Sequence, residues 1–411
     1  MRDNPALAGK PIAVGYSEGQ RGVICAASYE ARAFGVRAAT STRSALTRCP
    51  QLILVEPRHD RYAEVSREVM EVLSAWSPVI EQVSVDEAYL DLGGTEQLLG
   101  SLEDAGRGLR RAVRAETGLT ISVGGATSKV VAKVASDASK PDGLLIVPPG
   151  TEAAWLAPRK VGVIPGIGPV ARATLHELEI TTCGDLAVAH DDHLLRRFGQ
   201  HGPTLKNLAR GIDVTPVDDG GERKSLGREM TLDEDASDLD ILAALLLGLV
   251  ETVAYGLRSE GLLARTVTLK LKDTEFQTVI CQVKLPRPSD LAGPIYEAAR
   301  ALLRKTAKGT AYRLIGVSVS DLGADEQLGL FDAAHSARDR ALTNAADIMR
   351  KKYGDTAVTR ARLIEWRATV RGFVALVGAG VVVFACFALD GQSRATYSGL
   401  LLAVSAAVSA V

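Results

Sequence analysis

Apolar residues follow two different spacings along this chain, and the spacings divide it into strand and helix segments. Short apolar runs at 11–16 (PIAVGY) and 23–28 (VICAAS) predict two strands around a polar turn. Residues 62–76 carry apolar side chains at helical spacing. A strand (TISVGGA), a helix over 128–138 and a strand (LLIV) follow. The pattern predicts a mixed α/β domain that ends near Pro149.

The segment EQVSVDEAYLDL breaks the alternation expected of one strand. Its valines occupy odd positions before Asp86, whereas its leucines occupy even positions after Glu87. Because a regular strand keeps one parity on each face, a turn or bulge is predicted at these two acids. Adjacent carboxylates at the end of an apolar hairpin suit magnesium, which prefers oxygen ligands. A solvated pair of loop acids would give the same letters.

The second half of the chain changes character twice. Residues 151–222 read as short helices punctuated by glycine and proline. After a polar linker, DVTPVDDGGER, long amphipathic helices alternate with strands from Lys224 to about Leu322, which predicts a second α/β domain. Residues 323–365 read as a polar tail without an evident core.

Three basic or phenolic side chains are candidates for binding phosphate. Tyr29 and Arg32 lie one helical turn apart in SYEARAFG, and Lys140 lies in the turn SKPDG. If they converge on Asp86 and Glu87, they form a site for a triphosphate and its metal ion. An ordinary helix start with an exposed basic face is the alternative. No Walker-type GxxxxGK[ST] motif occurs, so a P-loop is excluded.

Two further features are typical of proteins that hold a nucleic-acid backbone. Gly166 and Gly168 precede a helix, where backbone N–H groups can approach a phosphate closely, although a plain turn between helices explains them nearly as well. Arg265, Lys270 and Lys272 alternate with aliphatic residues, which predicts a strand with one cationic face. Any half-buried strand shows such alternation.

Composition adds to this picture mainly when the charged residues are counted region by region. The chain of 411 residues has 48 Lys and Arg against 49 Asp and Glu, so its net charge does not indicate any class of binding partner. Residues 261–320 nevertheless hold ten basic against four acidic residues. Five scattered cysteines, without a CxxC pair, fit a reducing compartment and argue against a zinc site.

The end of the chain is unusually apolar. Gly372–Leu389 contains no charge over eighteen residues, and a second apolar run covers 395–411. Arginines precede the first run, so the positive-inside rule predicts a transmembrane helical hairpin in 366–411 with residues 1–365 in the cytoplasm. A buried core helix is the alternative.

Specific motifs make the chain resemble the Y-family DNA polymerases, most closely the bacterial DinB type. They are SYEARAFGVRAA, SVDEAYLDL, SKVVAKVASDASKPDG, IPGIGP and QLGLF, and the similarity covers residues 1–331. The resemblance implies an α+β multidomain right-hand polymerase that copies damaged templates as a monomer. The implied parts are fingers at 1–58, palm at 59–150, a helical thumb with a helix-hairpin-helix at 151–217, a linker at 218–223, an α/β little finger at 224–322, and a tail at 323–365.

The same resemblance assigns roles to the candidate residues. Asp86 and Glu87 match catalytic acids that bind two Mg2+ ions, and Tyr29, Arg32 and Lys140 match residues that hold the deoxynucleoside triphosphate. The thumb glycines and the basic strand match contacts to primer–template DNA. The QLGLF peptide looks like a sliding-clamp ligand, although packing back onto the chain would also explain it; its candidate residues are Gln327, Leu328, Leu330 and Phe331.

One departure from the family lies at the beginning. The family opens with a DxDxFFAxVE strand and helix immediately before the RDNPAL that stands here at 2–7. That strand would supply another metal-binding Asp, an aromatic gate against ribonucleotides, and a central palm strand. Without it we expect open sheet edges and a poor or inactive polymerase. The alternative function is therefore a catalytically inactive DNA- and clamp-binding paralogue.

Overall fold

The computed structural model describes residues 2–16, 21–218, 220–221, 223–324, 333–354, 358 and 401–407. Two compact units are present: Met1–Gly221 together with Gly378–Val411, and Glu222–Val377. The boundary after Gly221 falls inside the segment predicted as a linker.

A small three-stranded sheet opens the first unit. After a 3-10 turn at Pro5–Leu7, its elements are β1 (Ile12–Val14), β2 (Ala26–Ala27), α1 (Tyr29–Ala33), α2 (Thr42–Arg48) and β3 (Ile53–Val55). The order is β2-β1-β3, with β1 antiparallel to β2 and parallel to β3. Ser28 and Ser41 accept hydrogen bonds from backbone N–H groups in the first turns of α1 and α2, which fixes where each helix begins. The two predicted strands are confirmed, although both are shorter than their apolar runs.

A five-stranded sheet forms the centre of the first unit. Its elements are α3 (His59–Ser74), β4 (Val79–Gln82), β5 (Glu87–Asp91), α4 (Glu96–Leu99), α5 (Leu102–Thr117), β6 (Thr120–Ala126), α6 (Lys129–Ala138), β7 (Leu144–Ile146) and β12 (Leu401–Ala407). The order is β4-β5-β12-β6-β7, with β12 antiparallel to both of its neighbours. A strand from the far end of the chain thus occupies the middle of the sheet.

Strand β12 corrects two expectations. Residues 401–407 were predicted to belong to the second span of a membrane hairpin, but they form backbone pairs in the sheet. A sheet with open central edges was also expected, yet β5 and β6 both have a partner in β12. An apolar segment without charges, glycine or proline suits a central strand as well as it suits a membrane helix, which explains the error. The run Gly372–Leu389 lies outside the described residues.

Helices pack closely on this sheet because small residues allow it. Leu102, Ala105, Leu109 and Val113 form the buried stripe of α5 at spacings of three and four, and a Ser101 capping box begins that helix. Helix α6 lies so near β6 that a Cβ on Gly124 would come within 2.2 Å of the backbone of α6. Glycine is therefore required there for close helix–sheet packing.

Short helices complete the first unit, as the sequence predicted for 151–222. They are α7 (Glu152–Leu156), a 3-10 turn at Val161–Val163, α8 (Pro169–Glu177), α9 (Cys183–Val188), α10 (Asp191–Phe198) and α11 (His201–Ala209). Their buried residues, among them Leu175, Leu186 and Leu205, join the apolar cluster of the five-stranded sheet.

The second unit is a four-stranded antiparallel sheet with two helices against its apolar face. Its elements are β8 (Ser225–Ala236), α12 (Leu239–Ser259), β9 (Leu263–Asp273), β10 (Thr278–Ser289), α13 (Ala292–Thr306) and β11 (Tyr312–Gly323), with the strand order β10-β9-β11-β8. Within the described ranges, α12 alone is long and apolar enough to cross a membrane, and half of its apolar window is buried in this unit. Core packing therefore accounts for its composition.

An additional helix, α14 (Ala333–Tyr353), follows the sheet. The sequence predicted a polar tail without an evident core over 323–365, and the structure adds a helix within it. Arg258 in α12 binds the Asp347 carboxylate through two nitrogens at 2.6 and 3.0 Å, and Arg350 pairs with Glu251 at 3.3 Å. Ion pairs, which a search for apolar spacing does not detect, hold α14 on the unit.

Candidate catalytic site and nucleic-acid interface

A tight hairpin brings Asp86 and Glu87 to the start of β5. Strands β4 and β5 pair antiparallel up to Gln82 and Ala88, and the backbone N–H of Val83 donates to the Glu87 carbonyl at 2.8 Å. The turn predicted from the change of parity is therefore confirmed. The hairpin valines, taken from the pattern as a strand face, are exposed on this loop instead, because the turn removes them from the sheet.

Both carboxylates lie in an environment that disfavours their charge. Burial raises the pKa of Asp86 to about 9, with a further contribution from the neighbouring Glu87 charge. Burial also raises the pKa of Glu87, although the Lys133 ammonium opposes this shift. Such a pair is stabilised by a nearby cation, and the protein supplies two lysines.

Helix α6 and the turn after it supply those lysines. Lys133 Nζ lies 2.9 Å from Glu87 Oε1 and 3.5 Å from Asp137 Oδ2, and only about a sixth of its side chain is exposed. Lys140 Nζ lies 2.6 Å from Asp137 Oδ1, and its charge lowers the pKa of Asp86. The structure thus brings the predicted Lys140 to the two acids.

Lys133 was not among the residues selected from the sequence. One sequence feature could have indicated it: α6 is otherwise rich in valine and alanine, and a lysine on such a buried helix needs an acidic partner. The sequence alone does not identify that partner, because Glu87 is 46 residues away.

Tyr29 and Arg32 form a pair of their own. The Arg32 guanidinium lies 4.7 Å from the centre of the Tyr29 ring, and its Nε donates to the Ala27 carbonyl at 3.0 Å. Within the described part of the chain, no hydrogen bond or ion pair joins them to Asp86 or Glu87. The predicted five-residue cluster is therefore assembled only in part.

The two predicted glycines line an open stretch of backbone before α8. Gly166 has a φ of +90°, which favours glycine, and Gly168 is the N-cap of the helix. Nothing lies within 4 Å of a Cβ placed at either position, while Ile167 between them is buried and anchors the loop. The backbone here is accessible to a phosphate group.

The predicted basic strand is β9, but its three cations differ in surroundings. Lys270 pairs with Glu229 at 2.6 Å across β11, where Gly316 leaves room for the two side chains. Lys272 has the same parity as Lys270 in the strand, whereas Arg265 has the opposite parity and is exposed. Part of the expected positive face is therefore neutralised. The peptide Gln327–Phe331 lies outside the described residues.

The donor set for a metal ion is small. Asp86 and Glu87 are hard oxygen ligands on adjacent residues, as a divalent ion such as magnesium requires. Among the described residues, no group of three or more His, Cys, Asp or Glu suited to a metal ion is found. Strand β12, which borders β5, contains no carboxylate. The residues fit a divalent ion held largely by two carboxylates together with substrate phosphates.

Comparison with known proteins gives one consistent result. The family model "impB/mucB/samB family" matches residues 1–137, its C-terminal domain model matches 223–330, and the model "DNA polymerase-iota, thumb domain" matches 162–213. DNA polymerase IV of Desulfatibacillum aliphaticivorans is 39% identical over 369 residues, which cover 89% of this chain and 93% of the relative. DNA polymerase IV of Halorhodospira halophila is 42% identical over 323 residues, which cover 78% of this chain and 91% of that protein.

Solved structures agree with these relatives. A Y-family DNA polymerase chimera of Dbh and Dpo4 has a TM-score of 0.71 at 28% identity, covering 79% of this chain and 95% of its own. An insertion ternary complex of Dbh DNA polymerase has a TM-score of 0.55 at 27% identity, covering 78% of this chain and 94% of its own.

Proposed function

Because this chain belongs to the impB/mucB/samB family, which includes the Y-family DNA polymerases of the DinB type, we propose that it is a DNA-directed DNA polymerase that extends primers across damaged template. The observation that carries this proposal is the position of Asp86 and Glu87 at the start of β5, beside Lys133 and Lys140. Adjacent buried acids next to cations fit a reaction between a metal-bound triphosphate and a hydroxyl group.

Asp86 and Glu87 would hold the metal, for which we propose two Mg2+ ions. When bound, the metal neutralises charge on the phosphates and favours ionisation of the primer hydroxyl. The chain's own part is to keep the two carboxylates adjacent and buried, where charge interactions are strong. Lys133 holds the Glu87 carboxylate in place through its ion pair at 2.9 Å.

The triphosphate would be held by cations from two elements. Lys140 lies on the turn after α6, where Asp137 positions its ammonium group. Arg32 uses Nε for the Ala27 carbonyl, and its terminal N–H groups make no hydrogen bond to any described residue, so they can donate to phosphate oxygens. The Tyr29 ring restricts the guanidinium by stacking on it. These contacts would hold the nucleotide through its phosphates rather than its base.

Each unit, taken by itself, has features that would contact the phosphate backbone of DNA. The open backbone at Gly166 and Gly168 can donate to phosphates, and the β9 residues Arg265, Lys270 and Lys272 supply positive charge. Neither feature reads bases, which suits an enzyme that accepts distorted templates. We extend the proposal to a sliding clamp bound by Gln327–Phe331, on the strength of the sequence motif alone.

Primer extension by the full chain tests the proposal. An undamaged template and a template with an abasic site are compared, with magnesium or with a chelator. We expect extension only with metal, and a loss of at least about a hundredfold in Glu87→Gln, since a metal contributes several kcal/mol to such reactions. Asp192→Asn, an exposed acid in the same unit, is the matched control. Normal extension by Glu87→Gln would contradict the assignment of this acid.

A further inference from the structure

The turn that carries Lys140 is held by a side chain from a different helix. Lys140 belongs to residues 139–143, which connect α6 to β7. Arg110, on α5, donates from Nη2 to the Asp142 carbonyl and, at 2.8 Å, to Asp142 Oδ1. Its Nε donates at 3.3 Å to the Ile121 carbonyl in β6. One guanidinium group therefore joins the turn to the helix and to the sheet.

The backbone of this turn needs such support. Asp142 has a φ of +44°, a left-handed conformation that is unfavourable for a residue with a side chain. Gly143, the next residue, packs so tightly that a Cβ there would come within 1.9 Å of the Ser139 carbonyl. Backbone conformations of this kind persist only where the surrounding structure holds them. The Arg110 hydrogen bonds act at the residue where the turn is strained.

Arg110 is the principal partner of the Asp142 carboxylate. Only 26% of the Arg110 side chain and 35% of the Asp142 side chain are exposed, so water screens their ion pair in part only. Arg114, one turn further along α5, approaches the same carboxylate at 3.5 Å, but 68% of its side chain is exposed. Two bonds from one planar guanidinium to one residue also restrict its orientation more than a single contact does.

The turn leads to the group of charges that contains the catalytic acids. Lys140 lies two residues before Asp142, and its Nζ lies 2.6 Å from Asp137 Oδ1. The other oxygen of Asp137 lies 3.5 Å from Lys133 Nζ, which pairs with Glu87. A lysine ammonium group sits on a flexible four-carbon stem, so its position depends on the backbone that carries it. A mobile turn would let Lys140 leave this group.

We propose that Arg110 is a positioning residue of the nucleotide site. It fixes the turn through Asp142, so that the Lys140 ammonium group stays beside Asp86 and Glu87 and is already ordered when a triphosphate binds. A preordered cation binds phosphate more tightly, because it need not be immobilised during binding. The effect on nucleotide binding rests on the proposed polymerase function, whereas the effect on the turn does not.

Hydrogen exchange in the full chain measures the effect on the turn. Two backbone N–H groups report on it: Gly143 donates to Ser122 Oγ at 3.3 Å, and Val123 donates to the Gly143 carbonyl at 2.8 Å. We expect at least about tenfold faster exchange at both in Arg110→Ala, because hydrogen bonds from a charged group are lost. Arg111→Ala, an exposed arginine on the same helix, is the matched control and should exchange as the parent does.

Insertion of a single deoxynucleotide, with magnesium, measures the effect on the site. Arg110→Ala should raise KM for the triphosphate roughly three- to tenfold, which reflects the cost of ordering a side chain on binding, and change kcat by less than about twofold. Asp142→Asn, whose amide oxygen still accepts a hydrogen bond but carries no charge, should raise KM by a smaller factor. Arg111→Ala should keep both constants of the parent.

A double-variant cycle shows whether Arg110 acts through Lys140. Lys140→Ala should raise KM at least as much as Arg110→Ala does. The double variant should match Lys140→Ala alone, because a cation that is absent no longer needs a fixed position. A residue that only stabilises the fold would add its own factor in the double variant. Independent effects that multiply in KM would therefore overturn the proposal.

The outcomes separate this inference from the proposed function. Exchange like that of the parent at Gly143 and Val123 in Arg110→Ala would overturn the positioning role, whatever the activity. A parent chain that extends no primer would refute the polymerase function and the kinetic effect with it, and exchange would still decide whether Arg110 holds the turn. If Arg110→Ala does not fold, Asp142→Asn decides by the same two measurements.

Discussion

Replacing Asp86 by Asn should stabilise the metal-free protein at neutral pH. The Asp86 carboxyl is buried, with 9% of the residue exposed, and its pKa is raised from 3.8 to about 9 by burial and then by the charge of Glu87. Between these two values the folded state binds more protons than the unfolded state, so the free energy of unfolding falls as pH rises. An amide has no such proton, which makes Asp86→Asn insensitive to this part of the titration.

The magnitude follows from the interval of pH. The ordinary pKa of 3.8 lies about three pH units below pH 7, and each unit lowers the free energy of unfolding by about 1.4 kcal/mol. Ionisation of Asp86 therefore destabilises the folded protein by about 4 kcal/mol at pH 7. Below pH 3.8 both states are protonated and the difference disappears. We therefore expect Asp86→Asn to unfold at higher urea than the parent at pH 7, and at similar urea near pH 4.

Urea unfolding from pH 4 to pH 8 in the presence of a chelator measures this difference. Asp192→Asn, on the surface of the same unit, controls for the general effect of losing one negative charge. Magnesium should reverse the order by stabilising the parent alone, since Asn is a poorer ligand for a hard cation. If Asp86→Asn is no more stable than the parent at pH 7 without metal, the raised pKa of the buried Asp86 carboxyl is refuted.

Three further substitutions probe packing, DNA binding and the added helix. Gly124→Ala should cost about 3 kcal/mol in urea unfolding, the upper end of the usual overpacking cost, because its Cβ would come within 2.2 Å of the backbone of α6. Glu229→Gln should free Lys270 and steepen the dependence of log affinity for DNA on log salt by about one, measured by fluorescence anisotropy. Arg258→Ala should leave Asp347 with only its 3.4 Å contact to Arg350, at a cost of roughly 1–3 kcal/mol, and increase hydrogen exchange in α14.

The spacing of apolar residues predicted those features that depend only on residues near one another in the sequence. The turn at Asp86 and Glu87 follows from the parity of the valines and leucines around it, because a strand cannot keep both sets on one face. Lys140 was selected from the turn SKPDG on the condition that it converges on the acids, and its charge does lower the pKa of Asp86. Lys133 was missed because its ion pair with Glu87 joins residues far apart in the sequence, and spacing carries no information on that distance.

The end of the chain was misinterpreted for a different physical reason. An uncharged aliphatic segment is stable wherever water is excluded, and a buried central strand and a bilayer span satisfy that condition equally well. Length should separate them, since a strand needs few residues and a span about twenty, but the run from 395 to 411 has 17 residues, which is longer than a typical strand and close to a span. The available partner decides whether such a segment forms a strand or a span. The position between β5 and β6 exists only in the assembled sheet, so the sequence of the segment does not show it.

The two buried acids place a large energetic cost on the sheet that carries them. Ionisation-linked destabilisation of about 4 kcal/mol at Asp86 is large beside a typical domain stability of about 5–15 kcal/mol. The backbone pairing of β5 and the ion pair between Lys133 and Glu87 oppose this cost. Because metal binding relieves the repulsion between the acids, it should raise the stability of the first unit at neutral pH.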